Sequence, residues 1–325
     1  MIITKTPFRV SLFGGGSDHP EWFSENRGRV LSFAIDKYCY VIVRELPRIF
    51  SHNFKISYSD VEVLNKVDDI KHPVVRESIK KYANELRLEL QHTSDLPARS
   101  GVGSSSAFTV GVINALLAMQ STTCSPSNLA DLAINLEKEV LKENVGWQDQ
   151  IACALGGINV IEFDIDMTWT AKPIQISDGY RASIESRIIL IYTGIERFSS
   201  DISQYFLEEL EKKSELIREV MDMAHRCSEL LQYEGNLDEI GHLLDESWKL
   251  KKLLNPHASN PMIDNWYSLA IDAGALGGKI LGAGGGGFFL FWLKENGTDE
   301  FLAKFKLGTP VFLRLDKAGT RVLYK

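Results

Sequence analysis

Apolar and polar positions in this chain follow two periods. Phe8-Arg9-Val10-Ser11-Leu12-Phe13 alternates, the pattern of a half-buried strand. Arg29 to Ile35 and Tyr38 to Arg44, dense in β-branched and aromatic residues, predict two more strands. Leu88 to Thr93, Ile188 to Tyr192, Gly277 to Leu281 and Phe288 to Leu293 read the same way, as do Val311 to Leu315 and Thr320 to Tyr324. Helical spacing follows Pro73, with Val74, Val75, Ile79, Tyr82, Ala83 and Leu86 on one side. It returns after Ser127, with Leu129, Leu132, Ala133 and Leu136 inward, and over Ser200–Leu231, Asn236–Leu254 and Pro261–Ala273. Asp60 to Lys71 is polar and reads as a connection, and Asp164 to Arg187, with Pro173 and Gly179, reads as a boundary. The expectation is an α+β or mixed two-layer protein of two domains, residues 1–175 and 185–325.

One stretch departs from both periods. Leu96-Pro97-Ala98-Arg99-Ser100-Gly101-Val102-Gly103-Ser104-Ser105-Ser106-Ala107 is small and hydroxyl-rich, and it runs into the apolar helix Phe108 to Met119. Gly101 and Gly103 allow close backbone approach, and the helix start offers free N–H donors to an anion. The plain alternative is a serine cap on a core helix. No Walker A pattern occurs anywhere in the chain. Gly282 to Gly287 fits the spacing of a dinucleotide fingerprint, but the strand-like Phe288 to Leu293 follows it where a helix is required.

Composition narrows the class. At 325 residues, 44% hydrophobic and 24% charged, the chain reads as a globular protein, and its net charge of −7 excludes a broad nucleic-acid surface. Cys39, Cys124, Cys153 and Cys227 lack metal-ligand spacing and suit a reducing compartment. Neither a signal peptide nor a membrane-spanning stretch is evident, so a cytoplasmic location is expected. A homo-oligomer is compatible with the sequence but not indicated by it.

Three carboxylates stand out. Asp18 follows Gly14-Gly15-Gly16-Ser17, so it reads either as a helix cap or as part of a backbone opened to a polar ligand. Glu137 falls on the apolar side of its helix and calls for a partner, a metal among the candidates. Asp149, within Gly146-Trp147-Gln148-Asp149-Gln150, reads by itself as a cap.

Taken together, Pro7 to Asp18, the Gly101–Ser106 loop and Leu281 to Gly287 resemble the three signature motifs of the GHMP small-molecule kinases, in order and at the usual spacing. Within them the chain is similar to the D-glycero-D-manno-heptose 7-phosphate kinases of bacterial surface-sugar biosynthesis. That similarity rests on Gly14 to Asp18, Ala34 to Tyr38, His72 to Glu77, Gln148 to Gln150 and Ala258 to Pro261. The resemblance implies a ribosomal-S5-like N-terminal domain, a ferredoxin-like C-terminal domain and ATP between them. It makes Asp149 the base that takes the anomeric hydroxyl proton and Arg9 its partner, placed to stabilise developing charge. It gives ATP to Arg99, Ser100, Gly101, Val102, Gly103, Ser104, Ser105 and Ser106, and Mg²⁺ to Ser105 and Glu137. It gives the sugar to Gly15, Gly16, Ser17 and Asp18, and lets Gly284 and Gly285 close over it. Lys37, Arg99, Arg197 and Lys279 are the cations that could meet a substrate phosphate. Three rival readings remain: an L-fucose kinase, a silent sugar sensor on the same fold, and a mevalonate-type decarboxylase.

Overall fold

The computed structural model describes residues 1–195 and 213–324, so Arg197 and the start of the expected Ser200–Leu231 helix lie outside the described residues. Twelve strands form two sheets among these residues. The larger contains β1 (Ile2–Phe13), β2 (Gly28–Glu45), β3 (Phe54–Ser57), β4 (Val61–Leu64), β5 (Leu88–Ser94), β6 (Ile158–Phe163), β7 (Trp169–Pro173) and β12 (Arg321–Tyr324). The smaller runs in the order β11 (Thr309–Val311), β8 (Ile188–Tyr192), β10 (Phe288–Leu293), β9 (Ala275–Ile280).

The two strands expected over Arg29–Ile35 and Tyr38–Arg44 are one. Across β1, Pro7 pairs with Tyr38 and Phe8 with Ile35, so Asp36 and Lys37 form a bulge that the ladder absorbs. The bulge seats a later segment: Asp36 N–H donates to Arg314 O and Arg314 N–H to Asp36 Oδ1, both at 2.8 Å. The polar stretch Asp60 to Lys71, read as a connection, contains β4, which forms a hairpin with β3. Val61 and Val63 face solvent there and Glu62 is buried, so the apolar positions do not mark the inner face of the strand. Strand β12 returns to the first sheet and pairs with β1, whose sequence lies at the opposite end of the chain.

Helices α1 (Pro20–Phe23), α2 (Pro73–Tyr82) and α4 (Pro126–Ile134) each begin on a proline, whose missing N–H costs nothing at that position. Helix α3 (Ser104–Met119) is buried on nearly every side, which explains its unbroken apolar composition. After α4 the backbone widens into a π-helical turn, Asn135–Val140, and then reaches α5 (Gln148–Leu155). The boundary segment contains α6 (Asp178–Arg187) as well as β7, and α7 (Ser214–Gln232), α8 (Leu237–Leu254), α9 (Pro261–Asp272) and α10 (Thr298–Lys304) follow.

The continuous apolar run Phe288–Leu293 has a simple cause. Phe288, Leu290 and Trp292 enter the main core, while Phe289, Phe291 and Leu293 enter a second cluster with Trp248, Tyr267 and Phe301. Side chains alternate across a strand, so burial on both faces removes every polar position. This strand ends the glycine turn at a fixed place, which positions the site.

Candidate active site

The three glycine-rich segments meet at one place. Arg9 N–H, midway along β1, donates to Val102 O at 3.0 Å and holds the loop before α3 against the sheet. Gly101 and Gly103 have φ of +85° and +72°, where a Cβ is disfavoured. A Cβ on Gly101 would stand 2.6 Å from Leu281 O, and one on Gly282 would stand 2.7 Å from the Gly101 Cα. The second and third motifs therefore pack backbone against backbone. Phe288 N–H completes the contact by donating to Ser100 O at 3.1 Å.

Arg9 and Asp149, 140 positions apart, form a two-pronged pair. Nε donates to Oδ1 at 2.7 Å and Nη2 to Oδ2 at 2.6 Å, while Nη1 donates to Gly101 O at 2.6 Å. Burial opposes the arginine charge, yet the Asp149 carboxylate outweighs it and raises the guanidinium above its ordinary value. Asp149 stands in the first turn of α5 and keeps 26% of its side chain exposed, against 4% for Arg9. Gly103 makes room for the pair, since a Cβ there would lie 3.1 Å from Arg9 Cγ and 3.5 Å from Asp149 Oδ2. A carboxylate clamped from behind and open in front can accept a proton from a bound hydroxyl.

The loop residues divide. Ser100 is buried, and its hydroxyl donates back to Pro97 O at 2.6 Å. Ser104 Oγ accepts from Arg99 N–H at 3.2 Å, which holds Arg99 in a left-handed conformation at φ +58°. Ser105 is exposed on the first turn of α3. Ser106 is buried, and its hydroxyl donates to Glu137 Oε2 at 3.0 Å. Gln150 Nε2 donates to the same oxygen. Neither link was visible in the sequence, because the π-helical turn that buries Leu136 and Glu137 together breaks the 3.6-residue register.

Glu137 is fully buried, and burial pushes its carboxyl up to about 7. Its Oε1 has no hydrogen-bond partner among the described residues, nor has Gln150 Oε1. An orphaned buried oxygen beside a phosphate-type loop fits a hard cation. No cluster of three or more His, Cys, Asp or Glu side chains suited to a metal occurs among the described residues.

The first glycine turn is braced from beneath. Ser17 and Asp18 are 0% and 1% exposed. Ser17 Oγ donates to Gly14 O at 2.8 Å. Asp18 Oδ1 accepts from Gly16 N–H at 2.9 Å, Oδ2 from Gln148 N–H at 3.3 Å, and Asp18 O from Trp147 N–H at 3.0 Å. Asp18 thus fastens the turn to the start of α5, Ser17, which also accepts from Arg29 N–H, fastens it to β2, and only Gly15 and Gly16 are partly open. Gly15 lies near Gln148 Nε2 and Ser11 Oγ. Gly284 and Gly285 rest on Ala258, whose carbonyl accepts from Gly285 N–H at 2.8 Å. Lys37 pairs with Asp36 at 3.2 Å.

Known proteins resemble this chain over most of its length. Residues 71–157 match the GHMP kinases N terminal domain, and residues 223–306 match the GHMP kinases C terminal domain. The chain is 33% identical over 306 residues to the D-glycero-alpha-D-manno-heptose 7-phosphate kinase of Campylobacter jejuni, covering 90% of this chain and 89% of that protein. It is 26% identical to the bifunctional fucokinase/GDP-fucose pyrophosphorylase of Arabidopsis thaliana, covering 89% of this chain but 29% of that protein. Its fold superposes on the crystal structure of a D-glycero-D-manno-heptose 1-phosphate kinase from Bacteriodes thetaiotaomicron with a TM-score of 0.83 at 22% identity, covering 100% and 99% of the two chains. No described helix is long and apolar enough to cross a membrane.

Proposed function

The chain belongs to the GHMP kinases and is a sugar kinase using ATP, and from that premise we propose that it phosphorylates the anomeric hydroxyl of D-glycero-α-D-manno-heptose 7-phosphate, giving the 1,7-bisphosphate. The observation that carries the reaction is the Arg9–Asp149 pair, held against Gly101 and open on its far side. The acceptor is supported by likeness to the Campylobacter jejuni enzyme along nine-tenths of the chain.

In this reading residues 1–175 carry the phosphate loop and the base, and residues 185–325 carry the third glycine motif. The N–H groups opening α3 bind the ATP phosphates, with Gly101 to Ser105 as the cradle and Arg99 at its rim. The α3 dipole adds to that field. Asp149 receives the acceptor proton on its carboxylate, and Arg9 fixes the carboxylate orientation as charge develops. Glu137 and Ser105 would hold Mg²⁺, with Ser106 and Gln150 steadying Glu137. When bound, the cation neutralises phosphate charge. Gly15 and Gly16 line the sugar side, kept in shape by Ser17 and Asp18.

A turnover panel tests the acceptor. Heptose 7-phosphate, free heptose, L-fucose and galactose are compared at fixed ATP and Mg²⁺. Each charge-assisted bond to the terminal phosphate contributes roughly 1.5–3 kcal/mol, so losing one or two should lower kcat/KM by about 10- to 10⁴-fold. Equal use of L-fucose would replace this reading with a fucose kinase.

The metal assignment has its own check. Glu137→Gln removes the anionic oxygen while keeping shape. The Mg²⁺ concentration for half-maximal rate should rise by at least the roughly 10- to 100-fold typical of losing a metal site's supporting group. An unchanged titration would mean that Glu137 is a satisfied core acid.

A further inference from the structure

We propose that Gln148 and Ser11, which both border the gap left by Gly15, hold the acceptor hydroxyl on the carbon next to the anomeric centre. They restrict the enzyme to sugars that carry that hydroxyl. This deepens the sugar-kinase reading above and rests on it.

The three glycines of the first turn are not equivalent. Gly14 has φ +85°, and a Cβ there would stand 1.9 Å from Arg29 O. Gly16 has φ +103°, again where a side chain is disfavoured. Backbone geometry therefore requires both. Gly15 lies outside the left-handed region. A Cβ on it would meet only Gln148 Nε2 at 3.6 Å and Ser11 Oγ at 3.7 Å, which are ordinary contact distances. The fold would accept alanine here, so backbone geometry does not explain this glycine. The space beside it, bounded by two polar atoms, does.

Those two atoms are unengaged. Among the described residues neither Gln148 Nε2 nor Ser11 Oγ makes a hydrogen bond, and Gln148 Oε1 is buried without a partner. Ser11 is 7% exposed, and polar groups at that depth are ordinarily satisfied. A serine hydroxyl both donates and accepts, and a glutamine amide offers either function according to which way it is turned. A sugar hydroxyl between them would find a partner on each side. Asp18 keeps the amide in place, since its Oδ2 accepts from Gln148 N–H at 3.3 Å.

Register sets that hydroxyl beside the reacting one. Val10 and Leu12 enter the main core, so Arg9 and Ser11 share the opposite face of β1. Two residues apart on a strand, they stand about 7 Å from each other. Asp149 and Gln148 are consecutive at the opening of α5. Arg9 meets Asp149, while Ser11, one same-face step further on, lies with Gln148 beside Gly15. With the anomeric hydroxyl at Asp149, its neighbour on the ring reaches the Gly15 gap. Two O–H···O bonds of about 2.8 Å, joined by adjacent sugar oxygens, cover that span.

The experiment pairs each sugar that the wild type phosphorylates with its 2-deoxy counterpart and measures kcat/KM for both. Turnover of heptose 7-phosphate decides the acceptor reading, and the ratio within each pair decides this one. The wild type should favour the 2-hydroxy sugar by about 10- to 100-fold, mainly through KM. Gln148→Leu should lower that ratio to about threefold or less, with KM for ATP unchanged. Gly15→Ala, for which the fold has room, should lower it as far by filling the gap. A ratio near one in the wild type overturns the inference. So does a wild-type ratio retained in Gln148→Leu while both rates fall together. Should Gln148→Leu fail to fold, the same criterion applied to Gly15→Ala decides.

Discussion

Asp149→Asn should lower turnover about 10²- to 10⁴-fold, the usual worth of a general base, with ATP affinity nearly unchanged. The amide retains the carboxylate's shape and one acceptor oxygen, so Arg9 keeps part of its hold and the loop contact through Gly101 O persists. What disappears is the capacity to take a proton from the acceptor hydroxyl. Steady-state turnover and a nucleotide-binding titration on the same preparation separate the two effects. Near wild-type turnover would remove Asp149 from the chemistry. The silent sugar-sensor alternative fails at the same point if the wild type turns over.

Arg9→Met is expected to combine a catalytic and a structural loss. Removing a preorganised donor aimed at developing charge typically lowers kcat about 10²- to 10³-fold. Here the guanidinium also satisfies Gly101 O and both Asp149 oxygens from a position 4% exposed. Deleting one member of a buried pair costs about 3–5 kcal/mol, and the lower end applies because a quarter of Asp149 stays in contact with water. Denaturant unfolding should show the destabilisation, and ADP release at saturating substrates should show the rate loss. A stable variant with turnover within tenfold of wild type would reduce Arg9 to a packing residue. Arg9→Lys is not a rescue, since a single ammonium cannot span both carboxylate oxygens and Gly101 O.

Much of this protein is written locally. Phe288 to Leu293 announces a strand buried on both faces, and the structure places its alternate side chains in two cores. Prolines before Val74, Ser127 and Met262 start helices because their fixed φ suits a first turn, whatever the rest of the chain does. Glycines around Gly101 and Gly282 signal close backbone approach, since only the absence of Cβ permits it. The order of the three motifs identifies the family.

Other features exist only once distant segments meet. Hairpin β3–β4 carries no local signal because Val61 and Val63 point to solvent while Glu62 turns inward, and the hairpin is placed by the pairing of β3 with β5. The Arg9–Asp149 clamp spans 140 positions, and no local pattern encodes which carboxylate an arginine will find. By sequence Asp18 reads as a cap or as part of a backbone opened to a ligand, and the family resemblance gives Ser17 and Asp18 to the sugar; folding bonds their oxygens to Gly14, Gly16 and Gln148. Glu137 meets Ser106 and Gln150 through a π-helical turn that the helical period does not anticipate. Lys279 reads in the sequence as one cation among four, and only the fold places its amine on Leu12 O of the other sheet. Sequence determines backbone preference and which faces seek burial, because those depend on neighbours along the chain. Partnership among buried polar groups was decided by tertiary structure, since desolvation forces each donor and acceptor to pair with whatever the packed fold brings within reach.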